Sequence, residues 1–248
     1  MFESILNPIF GPLLGLPPFW AVLIIAFVIA LLITLVYKWM TDQHLMKSLK
    51  EEIKSFQQQM KEFKHDPKKV MEIQKRAMQT NMKYMMHSFK PTLITFLPII
   101  IIFGWLHANL AFDPIMPGQE FLVGAEFQPG VSGDVTLIVP KNIELLSNAT
   151  QKITDSKAEW LLKGESGEYI LEYQYNNRVY SKELLITSKQ RYKEPIKTVN
   201  DDTVKILETK HEKLVPLQIF GWNIGWLGTY IIFSIVFSMG LRKLFKIH

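Results

Sequence analysis

The stretch that decides the fold is PFWAVLIIAFVIALLITLVY, which runs from Pro18 to Tyr37 without an Asp, Glu, Lys or Arg. A helix of about 20 residues spans the ~30 Å hydrocarbon core of a bilayer. Two later runs, 93–112 and 217–241, are equally free of charge. The sequence therefore predicts an α-helical integral membrane protein with three transmembrane helices, at 18–38, 91–112 and 217–241.

The segment before the first run is too short and too broken to span a membrane. Glu3 is its only charged residue, and no small-x-small pattern closes the run that follows, so the run is predicted to be a retained anchor and not a cleaved signal. Residues 1–17 are apolar but interrupted by prolines and glycines. They are predicted to lie in the outer membrane interface, and a disordered terminus is the alternative.

Lys and Arg predict the orientation of the spans. Residues 38–90 hold 12 Lys/Arg against 6 Asp/Glu, whereas residues 111–216 hold 13 against 16. Since positive charge accumulates near the cytoplasmic face, the first segment and the tail 242–248 are predicted to be cytoplasmic, with the amino terminus outside. The net charge of +5 is thus a topology signal, and sequence-specific nucleic-acid binding is not expected.

Residues 39–90 are predicted to form a cytoplasmic antiparallel coiled-coil hairpin. One helical stripe steps by three or four residues along the first arm: Leu45, Leu49, Ile53, Phe56, Met60 and Phe63. Asp66 is a good N-cap and Pro67 a good first residue for a second arm. So short a connection requires the two arms to run antiparallel.

The second arm carries two apolar stripes, roughly 125° apart around the helix. Val70, Ile73, Ala77 and Tyr84 form one stripe and suit the partner arm. The other consists of Met71, Met78, Met82, Met85, Met86 and Phe89. Because methionine adapts to many apolar shapes, this second set, the Met stripe, is predicted to bind hydrophobic client segments. Packing on lipid or filling the hairpin core is the alternative.

From residue 113 the chain changes to short β-branched and aromatic runs separated by Gly, Pro, Asn and Ser. This pattern predicts an extracytoplasmic, sandwich-like β-domain over 113–190, with a two-residue turn at Asn176-Asn177, followed by a tether or an edge element over 191–216. The chain has no cysteine, so disulfides cannot stabilise the domain.

Signatures of catalysis are absent from the sequence. It contains no phosphate-binding loop, zinc-protease helix or serine elbow, and its six histidines lack ligand spacing. No enzyme activity, cofactor or metal is expected.

Polar residues in the predicted spans share one level of the membrane. With the orientation above, the cytoplasmic halves contain Thr34, Tyr37, Lys38, Thr92, Thr95, Ser234 and Ser238. These side chains are predicted to line a hydrated groove. The alternative is that the hydroxyls bond to their own backbone or hold helices together.

Five short motifs occur in order, with the hairpin between the first two spans: Tyr37-Lys38, Thr41-Asp42-Gln43, Asp66-Pro67, Lys90-Pro91 and Pro98. This order resembles the archaeal YidC-like proteins of the Oxa/YidC/Get membrane-insertase superfamily. The resemblance implies an insertase or chaperone that accepts hydrophobic segments of nascent membrane proteins and releases them into the plasma membrane through a polar groove, with the ribosome as a further candidate partner.

One feature departs from the bacterial pattern of the superfamily, in which an Arg commonly sits in the groove. No Arg falls within 18–38, 91–112 or 217–241, and Lys38 is the nearest cation. The principal rival is a membrane-anchored scaffold or adhesion protein that binds through its β-domain. A small transporter is a weaker option, because the spans contain neither acidic residues nor an internal repeat.

Overall fold

The structure, a computed structural model, describes residues 3–247. It divides into two compact units, each described by itself below. One unit contains Phe19–Gly104 and the chain from Leu227 onward, and the other contains Trp105–Trp226 and the chain up to Pro18.

The first unit is helical. Its helices are α2 (Pro18–Met40), α3 (Gln43–Glu62), α4 (Pro67–Leu110, whose last residues belong to the second unit) and α5 (Trp226–Leu244). Three of them, α2, α4 and α5, are long and apolar enough to cross a membrane. The predicted number of spans is therefore matched within the part of the chain that the structure describes.

Capping residues begin the two helices that follow α2. The Asp42 carboxylate accepts hydrogen bonds from the backbone N–H groups of His44 and Leu45, at 2.9 and 3.1 Å. Asp66 accepts one from Lys69 at 3.2 Å, and Pro67 is the first residue of α4, as predicted. These caps satisfy donors that have no partner inside the helix.

Helix α4 unites two elements that the sequence analysis placed in separate regions. It runs for 44 residues through Pro91 and Pro98, so the second arm and the second span are one helix. At 1.5 Å per residue it is about 66 Å long, twice what a bilayer requires. Its amino-terminal half must therefore project from the membrane.

Both helices of the predicted hairpin have one less exposed face. On α3, Met46, Leu49 and Phe56 are buried. On α4, Thr80 is buried, and the half-buried residues around it are Val70, Ile73, Ala77 and Tyr84. Except for Phe63, which is exposed, the residues of the two predicted stripes lie away from solvent, and Met46 joins them although it was not predicted.

The second unit contains a β-rich region of two antiparallel sheets. Its first seven strands are β1 (Glu120–Phe127), β2 (Asp134–Ile138), β3 (Ile143–Leu145), β4 (Thr150–Lys152), β5 (Lys157–Gly164), β6 (Gly167–Tyr175) and β7 (Arg178–Ile186). Two more, β8 (Ile196–Thr198) and β9 (Val204–Thr209), complete the sheets. Their orders are β3-β5-β1-β9-β8 and β4-β2-β6-β7.

Side chains of both sheets form one hydrophobic core. Val123 and Trp160 come from the five-stranded sheet, and Leu171 and Leu184 come from the other. The predicted turn is confirmed: Tyr175 pairs with Arg178, and Asn176 and Asn177 have φ of 43° and 62°. Both angles lie in the left-handed region that such two-residue turns require.

Of the two alternatives for 191–216, a tether or an edge element, the structure has the second in the central part, with β8 at the edge of the five-stranded sheet. Strands β8 and β9 lie there, and β9 pairs with β1 inside the five-stranded sheet. The charges of this segment favour a tether, but in β9 Val204, Leu207 and Thr209 are buried while Lys205 is exposed and Glu208 is partly exposed.

The predicted bounds of the third span are wrong at both ends. Strands β10 (Leu217–Ile219) and β11 (Trp222–Ile224) form a hairpin, and α5 begins only at Trp226. At the other end α5 continues to Leu244 and includes Arg242, which was assigned to the tail. Hydropathy does not distinguish an apolar hairpin from a helix, and a cation at the membrane edge does not end a helix.

The amino-terminal segment is helical. Helix α1 (Glu3–Phe10) is followed by a 3-10 helix over Gly11–Gly15, while residues 1 and 2 lie outside the described part. Phe10 packs against Trp105 with ring centroids 5.5 Å apart, and the Asn7 side-chain oxygen accepts a 2.7 Å hydrogen bond from the Trp105 indole N–H. Ile5 and Ile9 are exposed on another face. That this segment lies in the outer membrane interface stays a prediction.

Candidate functional site

A cavity of about 360 Å³ opens between the first and third membrane helices. Helix α2 contributes Ala30 and Ile33 to its wall. Helix α5 contributes the rest: Tyr230, Ser234, Ile235, Ser238, Met239 and Arg242. Polar side chains therefore reach the cavity from α5, and apolar ones from α2.

The polar groups of α5 follow one line along the helix. Tyr230, Ser234, Ser238 and Arg242 are spaced by four residues, so they lie on one face and step towards the carboxyl end. We call these four residues the polar ladder. Every other residue from Ile231 to Leu241 is apolar or glycine. The ladder is thus the polar face of an otherwise lipid-compatible helix.

The hydroxyls of the ladder differ in their partners. The Ser234 hydroxyl donates to the Ile231 carbonyl at 3.0 Å, which leaves its oxygen free to accept. Within the described residues, the Ser238 side chain has no hydrogen-bond partner. Both can therefore bind water or a polar group that enters the cavity.

Arg242 supplies a permanent positive charge at the cavity wall. Its guanidinium lies 5.3 Å from the centroid of the Tyr37 ring, a cation–π distance. The Tyr37 hydroxyl in turn lies 3.3 Å from that of Ser88 on α4. Tyr37 consequently joins α2, α4 and α5 at the end of the cavity marked by Arg242.

Lys38, the residue after Tyr37, also makes a cation–π contact. Its ammonium lies 5.3 Å over the ring of Phe245, just beyond the end of α5. Neither Lys38 nor Arg242 has a carboxylate partner among the ion pairs of residues 3–247. Two uncompensated cations therefore mark this end of the helices.

The predicted threonines do not line the cavity. Thr34 is buried and donates to the Ala30 carbonyl at 2.6 Å. Thr95 is buried and donates to Pro91 and Thr92 carbonyls, both at 3.1 Å, and exposed Thr92 donates to Ser88 at 3.0 Å. Backbone bonding, the stated alternative, describes these three residues, because a carbonyl four positions back lies within reach of a helical threonine.

The structure brings together only part of the predicted groove. Ser234 and Ser238 share the cavity, and Tyr37 and Lys38 lie with the cations at its end. Arg242 and Tyr230 were missed, although their four-residue spacing from the serines was visible in the sequence. No Arg falls within the predicted spans, but α5 continues past the predicted end of the third span and places Arg242 on the cavity wall.

The Met stripe lies on the exposed face of α4. Its members are 54–71% exposed: Met71, Met78, Met82, Met85, Met86 and Phe89. A row of large apolar side chains on a segment that projects from the membrane is costly in water unless another apolar surface covers it. The stripe therefore has the properties of a binding surface.

A second cavity, of about 1060 Å³, lies in the unit that contains the β-rich region. Two of its polar side chains have partners at the end of α4. Gln190 donates to the Asn109 and Phe112 carbonyls at 3.1 and 2.9 Å, and Tyr192 donates to the His107 carbonyl and accepts from the Ala111 N–H. These bonds satisfy backbone carbonyls at the end of α4, so the polar groups beside this cavity have a structural role where the helix ends.

Burial shifts titration where α4 ends. It raises the pKa of Tyr192 to about 12 and lowers the pKa of His211, whose ring bonds the Asp113 carbonyl at 2.9 Å. Both groups are neutral near pH 7. Among residues 3–247 no set of three or more His, Asp and Glu side chains could hold a metal ion.

A family model described as "Integral membrane protein EMC3/TMCO1-like" matches residues 3–129, just over half of the chain. The match includes α1, α2, the projecting helices and the whole of α4, and it ends after β1. No curated protein and no solved structure matches the chain. The chain therefore belongs to the EMC3/TMCO1-like family of integral membrane proteins, part of the Oxa1/YidC/Get1 insertase superfamily.

Proposed function

We propose that this protein is a membrane insertase of the archaeal YidC-like kind, which transfers hydrophobic segments of newly made proteins into the bilayer without covalent chemistry. The observation that carries the proposal is the polar ladder of Tyr230, Ser234, Ser238 and Arg242 on a cavity inside a membrane helix pair. Membership of the insertase superfamily supports it.

The ladder lowers the cost of moving a polar flank of a client protein. Each unsatisfied backbone group in hydrocarbon costs several kcal/mol. Hydroxyls and water in the cavity accept and donate hydrogen bonds over part of the path, and Arg242 holds a positive charge at its end. The polar flank then crosses a shorter apolar distance.

Burial of the client's own apolar helix supplies the driving force. Removing apolar surface from water yields about 25 cal/mol per Å², so a helix that leaves the Met stripe for lipid needs no nucleotide hydrolysis. The cavity wall that α2 contributes is apolar, with Ala30 and Ile33. It forms no hydrogen bonds that would hold the client back from the lipid.

The projecting helices receive the client first. We propose that α3 and α4 pack as an antiparallel coiled coil through their less exposed stripes, which leaves the Met stripe free for nascent segments. The basic charge of residues 38–90 suits an approach to a ribosome.

The proposed membrane is the plasma membrane, with the amino terminus and β-domain outside and the projecting helices in the cytoplasm. Uncompensated Lys38 and Arg242 at one end of the cavity agree with a cytoplasmic end, because cations are retained on that side. Protease added to right-side-out vesicles should cut only within 111–216.

Site-specific photo-crosslinking tests the proposal. A photoreactive residue at Ser234 should crosslink to a ribosome-bound nascent membrane protein, whereas one at Val236, an exposed residue of α5 outside the cavity wall, should crosslink mainly to lipid. The variant Arg242→Gln should slow insertion more than Lys243→Gln, because Lys243 does not line the cavity.

Equal client crosslinking from both faces of α5, or none from either, would remove the cavity from the mechanism. A scaffold or adhesion protein makes the opposite prediction: its partners crosslink to the β-domain, and changes at Ser234 and Arg242 have no effect.

A further inference from the structure

The hairpin of β10 and β11 carries large apolar side chains into open surroundings. The strands pair Leu217 with Ile224 and Ile219 with Trp222, and Phe220-Gly221 forms the turn. Phe220 is 101% exposed and Trp222 is 78% exposed. We propose that this hairpin inserts its tip into the interfacial layer of the bilayer, on the side of the membrane that holds the β-domain.

The turn places its aromatic residue at a conformational cost. Phe220 has φ of 51° and Gly221 has φ of 82°. A bulky residue rarely adopts positive φ, because its Cβ crowds the backbone. The other two-residue turn, Asn176-Asn177, uses residues that tolerate this region well. The turn therefore has a Phe at a position where the backbone conformation disfavours it.

Two strands of three residues each are too short to keep this hairpin folded in water on their own. An isolated two-stranded hairpin is at best marginally stable there, and three-residue strands are short. Leu217 and Ile224 are only partly buried. An apolar environment around Phe220 and Trp222 supplies the missing burial.

The chain fixes how far the hairpin lies from the membrane. Gly225 alone separates β11 from α5, and α5 has 19 residues. At 1.5 Å per residue α5 is about 28 Å long, so all of it is needed to cross the ~30 Å hydrocarbon core. Trp226 then lies at the boundary of the core, and the hairpin, about 10 Å long, starts there.

Lipid is the occupant that this position and composition favour. No Asp, Glu, Lys or Arg occurs from Leu214 to Leu241, so the hairpin shares the charge-free composition of the span it precedes. Phe and Trp are typical of the membrane–water interface. Backbone groups at the edges of a two-stranded hairpin need polar partners such as water or headgroups, which keeps the hairpin out of the hydrocarbon core. This inference holds whether or not the protein inserts clients.

The absence of native cysteine permits a direct test in the full chain. A nitroxide is attached to Ile219→Cys, which keeps Phe220 and Trp222, and the protein is reconstituted in phosphatidylcholine–phosphatidylglycerol vesicles. Collisions with lipid-soluble oxygen and with a water-soluble nickel chelate are then compared. The matched control is Asn177→Cys, at the turn of the same type that has polar residues.

We expect the oxygen-to-nickel ratio at Ile219→Cys to be several-fold higher than at Asn177→Cys. Adding Phe220→Ser and Trp222→Ser should reduce it to the value of the control. Equal ratios in the unmodified hairpin and the control would overturn the proposal, since the hairpin would then lie in water. Low access to both reagents would also overturn it, because a second protein surface would then cover the tip.

Discussion

The β-rich region and the third membrane helix differ in how their polar side chains are partnered. Among the described residues of the β-rich region, the buried side-chain polar atoms have hydrogen-bond partners apart from the Tyr173 and Thr209 hydroxyls, whereas polar side chains of α5 face a cavity. In the β-rich region, the Trp160 indole N–H donates to the Ala149 carbonyl and the Tyr175 hydroxyl donates to the Ser132 carbonyl, both at 2.9 Å. On α5, Ser238 and Arg242 face a cavity, without a hydrogen-bonding partner or a carboxylate among residues 3–247.

This difference separates polar groups with a structural role from polar groups that can bind another molecule. A buried polar group whose hydrogen bonds are satisfied within the fold has no need of a further partner. A polar group that faces an open cavity inside a membrane helix pair has a cost that a ligand, a client or water can remove. In the function proposed above, the β-rich region therefore contributes stability and the helices transfer clients.

The largest expected effect belongs to the core of the β-rich region. Trp160 is 0% exposed, and Trp160→Ala should destabilise this region by about 3–5 kcal/mol through loss of burial and the cavity left behind. Hydrogen exchange of β1 and β5 measures the loss. The control is Ile170→Ala on an exposed site, with little change expected. If Trp160→Ala also abolished client insertion, the assignment of separate roles to the β-rich region and the helices would be wrong.

Lys182 offers a test of stability with a defined pH dependence. The side chain is 3% exposed overall, and burial lowers the pKa of its ammonium to about 8, with Glu194 opposing and Lys197 adding to the shift. Lys182→Met should stabilise the β-rich region by on the order of 1–2 kcal/mol at pH 7, because a buried charge is costly.

The sign of the pH dependence follows from proton binding. Between about pH 8 and the ordinary lysine value of 10.5 the unfolded state binds more protons, so the unmodified protein gains stability as pH rises. The advantage of Lys182→Met should therefore shrink across that window in thermal unfolding of the full chain. A constant advantage at all pH values would contradict the buried charge.

On the helical side, the Met stripe should show a smaller effect that appears only with a client. Changing Met71, Met78, Met82 and Met85 together to Gln should weaken client crosslinking about tenfold, equivalent to about 1.4 kcal/mol. The same positions changed to Leu should lose less, since hydrophobicity remains and only adaptability is lost. Unchanged crosslinking in the Gln variant would mean that lipid or the chain itself covers the stripe.

The smallest effect is expected at the threonines that the sequence had placed in the groove. Thr34→Val removes one hydrogen bond to the helix's own backbone, worth about 0.6 kcal/mol on average in membrane proteins. Insertion of a client with a short translocated tail should be unchanged, whereas the paired change Ser234→Val and Ser238→Val should slow it. If both variants slowed insertion equally, Thr34, which bonds to its own helix, and the serines, which line the cavity, would not differ in function.

Features with strong local rules could be predicted from the sequence. The charge-free runs located three spans because bilayer thickness sets helix length, and Asp66-Pro67 located the start of α4 because caps satisfy specific donors. Asn176-Asn177 located a turn because few residues accept its backbone angles.

Features that depend on direction around a helix, or on long-range pairing, could not be predicted as well. Thr34 and Ser234 have similar polarity, and only the packing of α2 and α5 shows which one reaches a cavity. β9 joined the sheet through pairing with β1, about 80 residues earlier in the chain, which no local pattern reveals. The spacing of Arg242 from Ser238 was readable, but the assumption that a span ends before its first cation concealed it.

Thiol reactivity in sealed vesicles tests the central claim most directly, because the chain has no cysteine of its own. Single cysteines replace Ser234, Ser238, Thr34 and Val236, and a membrane-impermeant thiol reagent is supplied on the side of the projecting helices. Reaction after the membrane is dissolved in denaturing detergent measures the total cysteine. We predict that Ser238→Cys and Ser234→Cys react through a hydrated cavity, while Thr34→Cys and Val236→Cys stay inert. If all four are equally inert, the polar ladder is dry, its hydroxyls only hold helices together, and the insertase account is contradicted.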